Sequence, residues 1–479
     1  MTRTLHLRLL PVRQLPVLLC ALLSLGGCAT FSQDGGFGAV EKIAKERLGK
    51  EVRWARNEDS QGTIDARVHE LLAQPLSVDD AVQVALFNNR GLQAAFFGLD
   101  ISEADLVQAG RLPNPHFSML QGSAPVNGIR EYKIEQVLTF NIFSLITMPL
   151  AVEVERRNFE QAQRLAAMEV MQVASDTRKA YFSAVAADES VRYMDKVKQA
   201  ADAAAELARR MVVVGNFSKL RQAREQGFYA EATLNLARAR QTQTETRERL
   251  NRLLGLSNSQ AFKLPERLPD LPKGPEEAST VAQTTLEQRL DLQAIRLETE
   301  ALAKNLGLTR ATRFINVVEF GPARVMEGQK GDPYKRGYEI SFELPIFNWG
   351  EAKVVKAEAI YMQAINRAAE IAINARSEVG QAYSMYRTSY DIAKHYRDEI
   401  VPINKRIAEE NLLRYNGMLI GIFDLLADTR TQIASVNSYI ESLRDFWIAQ
   451  SDLQMSLIGK PSLFVGAKAI AAATGRSDH

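Results

Sequence analysis

Two stretches of this chain, about 200 residues apart, repeat one another in the same order. Leu92-Gln93-Ala94 returns as Leu292-Gln293-Ala294, and Ser175-Asp176 with Ala180-Tyr181 returns as Ser377-Glu378 with Ala382-Tyr383. Gly215-x-Phe217 with Leu220 and Arg224 matches Gly421-x-Phe423 with Leu426 and Arg430. The separation drifts between about 200 and 206 residues, so small insertions are implied. A unit this long is too large for a solenoid repeat, and the chain is two copies of one large unit.

Within each copy the dominant pattern is a very long helix. From about Pro149 to Val214 no further proline occurs, and the first candidate break is Gly215-Asn216. That run is a rod of about 97 Å at 1.5 Å per residue. The stretch from about Glu351 to Tyr415 repeats the length with one proline, Pro402. Helices of this length indicate a coiled coil or helical array rather than a globular domain. Near the C-terminus Leu426, Ile433, Val436, Ile440, Leu443 and Trp447 are spaced as a heptad seam or as a plain core stripe. A further helix is expected over Leu76–Arg111, with Ser77 as N-cap and Pro113-Asn114-Pro115 as the stop.

Between the long helices of each copy lies a short stretch of period two. Tyr338, Ile340, Phe342 and Leu344 alternate with Glu339, Ser341 and Glu343. Tyr132, Ile134, Leu138 and Phe140 alternate with Lys133, Glu135, Val137 and Thr139, and Gln136 interrupts the apolar face. Period two predicts strands with one apolar and one charged face. Candidate partner strands precede them at His116–Ala124 and Phe314–Arg324, with turns at 125–128 and 327–333. A half-exposed soluble sheet would need a layer over its apolar face, and the chain offers none. A membrane barrel, apolar to lipid and polar to the lumen, needs none. Four strands cannot close a barrel, which takes at least about eight, and open edges are not tolerated in lipid. Several copies of the chain must therefore pool their strands.

The N-terminus carries Arg3, Arg8 and Arg13, then an apolar run over 17–23 that is too short to span a bilayer. It ends in Leu25-Gly26-Gly27-Cys28, which resembles the lipobox of bacterial lipoproteins. The resemblance implies cleavage before Cys28 and acylation of its thiol, including palmitate. Ala29 in place of Asp implies sorting to the outer membrane. An ordinary signal peptide with a chance cysteine is the alternative. Cys20 is the other cysteine of the chain and would leave with the leader, so no disulfide within the mature chain is expected.

A lipobox, two hairpins and paired long helices in tandem together resemble the TolC-like outer-membrane efflux protein family, over about residues 75–460. The most specific phrases are Leu112-Pro113-Asn114-Pro115, Leu344-Pro345-Ile346-Phe347-Asn348-Trp349-Gly350, and Arg414-Tyr415 followed by Gly421-Ile422-Phe423-Asp424-Leu425-Leu426. The first copy departs from the pattern at Phe143–Met148 and at Arg210-Met211. The resemblance implies a mostly α fold with a small membrane β part. Each protomer would give four strands to a 12-stranded trimeric barrel and long helices to a periplasmic α-barrel. The implied partners are two further copies, a periplasmic adaptor, an inner-membrane pump and outer-membrane lipid. The implied location is the outer membrane, lipid-anchored and extending into the periplasm.

The expected organisation is a signal peptide (1–27), a polar, irregular lipid-anchored tether (28–75), and a first repeat (76–270) with its hairpin at about 113–141 and long helices at about 149–255. A second repeat (271–460) follows, with its hairpin at about 314–347 and long helices at about 350–459, and then a tail (461–479). The helix turns would form a gated periplasmic tip containing Gly215, Tyr415, Gly421, Asp424, Asp428 and Arg430. Asp424 and Asp428 share a helix face and could form acidic rings in a trimer, or serve as an N-cap and a solvated charge. Glu135, Glu339 and Glu343 are the expected lumen charges.

The sequence has no Gly-rich phosphate loop, nucleophile elbow or metal-ligand cluster, so neither an enzyme, a metal site nor any cofactor beyond the lipid on Cys28 is expected. A net charge of +2 without a basic stripe argues against nucleic acid. The competing class is a lipid-anchored periplasmic coiled-coil adaptor or scaffold. A passive export conduit is favoured because such adaptors lack a tandem repeat of this size. The exported solute cannot be read from the sequence.

Overall fold

The computed structural model describes residues 30–256, 262–275, 288–315 and 317–461, apart from the side chains at 424 and 426–429. Cys28 and the leader lie outside the described residues, as does the tail from 462 onward. The described residues fall into two compact units, one drawn from 30–36, 99–162 and 295–367, the other from 37–98, 163–294 and 368–461.

Helices come in the order α1 (Phe37–Leu48), α2 (Glu58–Leu72), α3 (Val78–Asn88) and α4 (Arg90–Ala109). Strands β1 (His116–Val126) and β2 (Ile129–Asn141) follow, then α5 (Ile142–Val213) and α6 (Lys219–Leu254). The second copy holds α7 (Leu290–Thr312), β3 (Val318–Gly328), β4 (Lys335–Phe342), α8 (Glu351–His395), α9 (Val401–Asn416) and α10 (Ile422–Ile458).

The first unit contains the sheet, antiparallel in the order β1-β2-β3-β4, so β1 and β4 are both edges. Asn127 (φ 51°) and Gly128 (φ 82°) make the tight β1–β2 turn, the pair of left-handed residues that a two-residue hairpin requires. β2 runs directly into α5, where Asn141 Oδ1 accepts from the Ser144 backbone N–H (2.9 Å). The neighbouring helix segments are tied by Lys304 to Glu153 (3.1 Å) and by Gln161 to Glu298 (2.9 Å).

The second unit is a helical body rich in small residues. Ala167, Ala174, Ala180 and Ala184 of α5 are wholly or almost wholly buried, which lets neighbouring backbones approach closely. Phe182 stacks on Trp447, and Phe446 packs on Tyr386, Tyr390 and Trp447. The segment that joins the repeats is strapped down through its backbone carbonyls. Trp447 donates to Pro269 O (3.1 Å), Tyr390 to Pro272 O (3.2 Å) and Arg397 to Leu271 O (3.3 Å).

Three sequence expectations are corrected. Residues 32–75 are not irregular, for they contain α1 and α2, and Phe37, Trp54, Phe96 and Phe97 form one aromatic cluster. The polar faces of these short helices hid their burial of Val40, Ile43, Ala44, Ile64 and Val68. The helix expected over Leu76–Arg111 is two, broken at Asn89, whose backbone is extended. Asn88 and Asn89 donate instead to Leu254 O (3.0 Å) and Leu253 O (2.9 Å) at the end of α6.

The third correction concerns the register of the duplication. The two helix turns make the same hydrogen bonds. Gly215 N–H donates to Val212 O and Asn216 N–H to Met211 O, while Met418 N–H donates to Tyr415 O and Leu419 N–H to Arg414 O. All four equivalent pairs are 203 residues apart, not the 206 that the Gly-x-Phe phrases suggest. The left-handed position is Gly215 (φ 78°) in one turn and Met418 (φ 59°) in the other, so glycine spacing misleads there. At Tyr181 and Tyr383 the separation is 202, so the second copy has one extra residue between there and its turn. A π-helical turn at Tyr396–Ile400, just before Pro402, interrupts the long helix in that interval. One residue of excess is what a π-bulge absorbs, and Pro402, which cannot donate to the helix ladder, tolerates the interruption.

Candidate channel lining and helix-turn tips

Cross-strand register sorts the sheet into two faces. Phe140 is opposite Phe320, Phe320 opposite Ile340, and Pro322 opposite Tyr338. With Phe117, Leu138 and Phe342 they form an apolar face, and Tyr338, Ile340 and Phe342 are 72%, 55% and 59% exposed. The opposite face carries every carboxylate of the four strands: Glu131, Glu135, Glu319, Glu327 and Glu339.

Of the expected lumen charges, Glu135 lies on that polar face between Leu120 and Val325, 3.6 Å from Lys133 Nζ. Glu339 lies on it opposite Gly321. Glu343 falls just beyond β4 and is exposed. Sequence reasoning missed Glu131, which precedes the alternating run of β2, and Glu319 and Glu327, because Gly321 and Pro322 spoil the alternation of β3. Glu319 accepts from Thr139 Oγ1 (3.1 Å). The signal that could have found Glu319 and Glu327 was position parity along β3, once β2 had fixed which face is polar.

At the turns, Phe217 and Phe423 stack with centroids 4.1 Å apart. Arg430 of α10 forms an ion pair with Glu225 of α6, and its guanidinium lies 3.9 Å from the ring centroid of Phe228. The Glu225 side chain is only 7% exposed, so this pair is shielded from water and bridges the two turns. Gly215 lies in the turn after α5, and Tyr415 lies in the last turn of α9, its carbonyl accepting from Met418 N–H. Gly421 immediately precedes α10, its carbonyl accepting from Leu425 N–H (3.3 Å). The backbone at Asp424 and Asp428 is helical, which keeps them one turn apart, and their side chains lie outside the described residues. Glu225, Phe217 and Phe228 were missed as tip residues. Glu225 is visible in the sequence only as one charge on a strongly charged helix.

The arrangement is a sheet with two open edges, one apolar face and one acidic face, on a duplicated chain of paired long helices, and it is shared with known proteins. Residues 81–256 match the family model described as outer membrane efflux protein. The chain is 25% identical over 290 residues to the cobalt-zinc-cadmium resistance protein CzcC of Cupriavidus metallidurans, covering 60% of this chain and 66% of that one, just under two thirds of the relative's length. Its fold is similar to the CmeC outer membrane channel of Campylobacter jejuni (TM-score 0.67, 18% identity, 91% of this chain and 96% of that). It is also similar to the open state of the Neisseria gonorrhoeae MtrE outer membrane channel (TM-score 0.64, 17% identity, 80% and 89%). The match to the outer membrane efflux protein family covers residues 81–256, and the fold is that of the solved outer membrane channels.

Proposed function

We propose that three copies of this chain pool their sheets into one 12-stranded barrel and act as the passive outer-membrane conduit of a tripartite efflux system. An adaptor and an inner-membrane pump supply the coupling and the energy. The observation that carries this reading is the four-stranded sheet with β1 and β4 unpaired along their outer sides. Each bare edge is a row of donors and acceptors that lipid cannot satisfy, and an edge-to-edge ring of copies satisfies all of them. The acidic face then lines the water-filled lumen, and Glu135, Glu319, Glu327, Glu339 and Glu343 favour cations there.

The helix turns form the periplasmic gate. The shielded Arg430–Glu225 pair and the Phe217–Phe423 stack hold the two turns together, and docking of the partner releases them. Asp424 and Asp428 contribute acidic rings at the aperture. Cys28 carries the lipid anchor, and Cys28→Ser should abolish incorporation of labelled palmitate. CzcC is a resistance protein for cobalt, zinc and cadmium. That relative, with an acidic lumen, supports divalent metal cations as the exported class. A deletion strain sensitised to antibiotics but not to these metals would overturn the assignment.

The test of the conduit is extraction and conductance. After removal of the lipid anchor the protein should still require detergent, run as a heat-dissociable oligomer and conduct ions in a planar bilayer. A water-soluble monomer would support the adaptor class instead. Arg430→Ala should raise single-channel conductance by loosening the turns. Asp424→Ala and Asp428→Ala should lower cation selectivity, and unchanged selectivity in both would discard the acidic rings.

A further inference from the structure

One row of the apolar face does not fit a purely lipid-facing surface. Met119 is opposite Gln136, Gln136 opposite Arg324, and Arg324 opposite Arg336. Arg324 donates through Nε to Gln136 Oε1 (2.5 Å), and its guanidinium lies 5.2 Å from the Tyr334 ring centroid. Two arginines directly across a strand pair repel each other. No carboxylate shares their face of the sheet, and among the described residues neither arginine has an ion-pair partner. The only other charged residue on that face is Arg130, beside the β1–β2 turn.

The height of the row is fixed by what lies between it and the helices. From Tyr338 the exposed apolar side chains continue through Ile340, Phe342, Leu344 and Ile346 to Phe347. Of these, Tyr338, Ile340 and Phe342 belong to β4 and the others to the connection into α8, while Arg336 is the second residue of β4, at its loop end. Arg336 lies one alternate position past the end of this band, on the side away from the helices. The helices extend into the periplasm, so the row falls at the headgroup level of the outer leaflet. An outward-facing charge is costly at mid-bilayer and cheap at the interface, in keeping with that height.

We propose that Arg324 and Arg336, with Gln136 positioning the first, bind the phosphate of a phosphorylated lipid headgroup of the outer leaflet. Two planar guanidinium forks side by side match the oxygens of a phosphate monoester, and a shared anion turns their repulsion into attraction. This inference rests on the outer-membrane channel reading.

The test uses the purified full-chain oligomer in detergent and native mass spectrometry with bisphosphorylated lipid A, with the same lipid after phosphate removal, and with inorganic phosphate as competitor. The wild type should retain the phosphorylated lipid, and R324Q/R336Q should bind it about a hundredfold more weakly, the loss of two charge-assisted contacts at about tenfold each. Lys335→Gln, on the polar face, should bind as the wild type does. Heat-dissociable migration of each variant confirms folding, and R336Q alone serves if the double variant does not assemble. Equal binding by the arginine variants, equal retention of the dephosphorylated lipid, or full displacement by inorganic phosphate would each overturn the lipid site. A chain that does not assemble into a detergent-requiring oligomer would instead overturn the channel reading beneath it.

Discussion

Two buried charge clusters show at the residue scale how the long helices are kept in register. Lys179 is 2% exposed and contacts Asp452 (2.9 Å) and Asp176 (3.1 Å). Arg289 is 1% exposed and contacts Asp291 (2.6 Å) and Glu378 (2.8 Å). Removing one partner leaves a charge stranded in low dielectric, so Asp452→Ala should cost about 3–5 kcal/mol, read as a lowered dissociation temperature of the oligomer. Burial holds the Asp452 carboxyl above the usual carboxylate range despite Lys179. A carboxyl whose folded pKa exceeds its unfolded value binds its proton more tightly when folded, so falling pH does not destabilise the fold through this group. Asp452→Asn should therefore leave the acid limb of the unfolding profile no shallower than in the wild type, and a clear flattening would contradict that assignment. Tyr181, whose hydroxyl donates to Leu76 O (2.9 Å), is pushed up to about 12 by burial. Tyr181→Phe should cost about 1 kcal/mol, the usual net worth of one buried hydrogen bond.

At the scale of elements, the duplication explains which contacts were legible beforehand. Asn89 reaches Leu253 O in the first copy and Arg289 reaches Ser456 O in the second, the same tie made by different residues. No residue-type match could have revealed it, because a short amide and a long guanidinium fulfil one task. Strands β2 and β4 were each legible because tyrosines and isoleucines alternate with polar and charged residues. β3 was not, since Gly321 and Pro322 carry no face information. The turn register was misjudged because the sequence signal was glycine, whereas Met418 holds the left-handed conformation in the second turn. Gly255 (φ 66°) ends α6 with Asn88 O 2.2 Å from where a Cβ would sit. Gly255→Ala should thus cost about 1–3 kcal/mol from backbone strain alone, with the steric clash added, and again the oligomer's dissociation temperature reports it. Deleting Glu399 should convert the π turn to regular helix and bring the second copy to the 202-residue spacing of its upper part. The loss of the π-helical turn would be checked crystallographically, and assembly by heated gel migration.

At the scale of the whole chain, the fold was legible because its constraints are global. Long proline-free helices, a repeat and too few strands for a barrel can all be counted without knowing a single contact. The helices near the N-terminus were not, because their burial depends on a partner surface contributed by Phe96 and Phe97, far along the chain. Truncating residues 30–75 while keeping the leader and Cys28 should expose that aromatic surface, leaving a protein that reaches the membrane but assembles poorly, as measured by the yield of heat-dissociable oligomer.

The single surplus residue in the second copy has an evolutionary corollary. One position adds about 100° of rotation to everything below it in a helix. A chimera that exchanges the lower arms of the two copies would turn each seam toward the wrong neighbour unless the surplus travelled with it. Two arms that began as interchangeable parts are thereby committed to separate careers, one uninterrupted and one with a built-in joint.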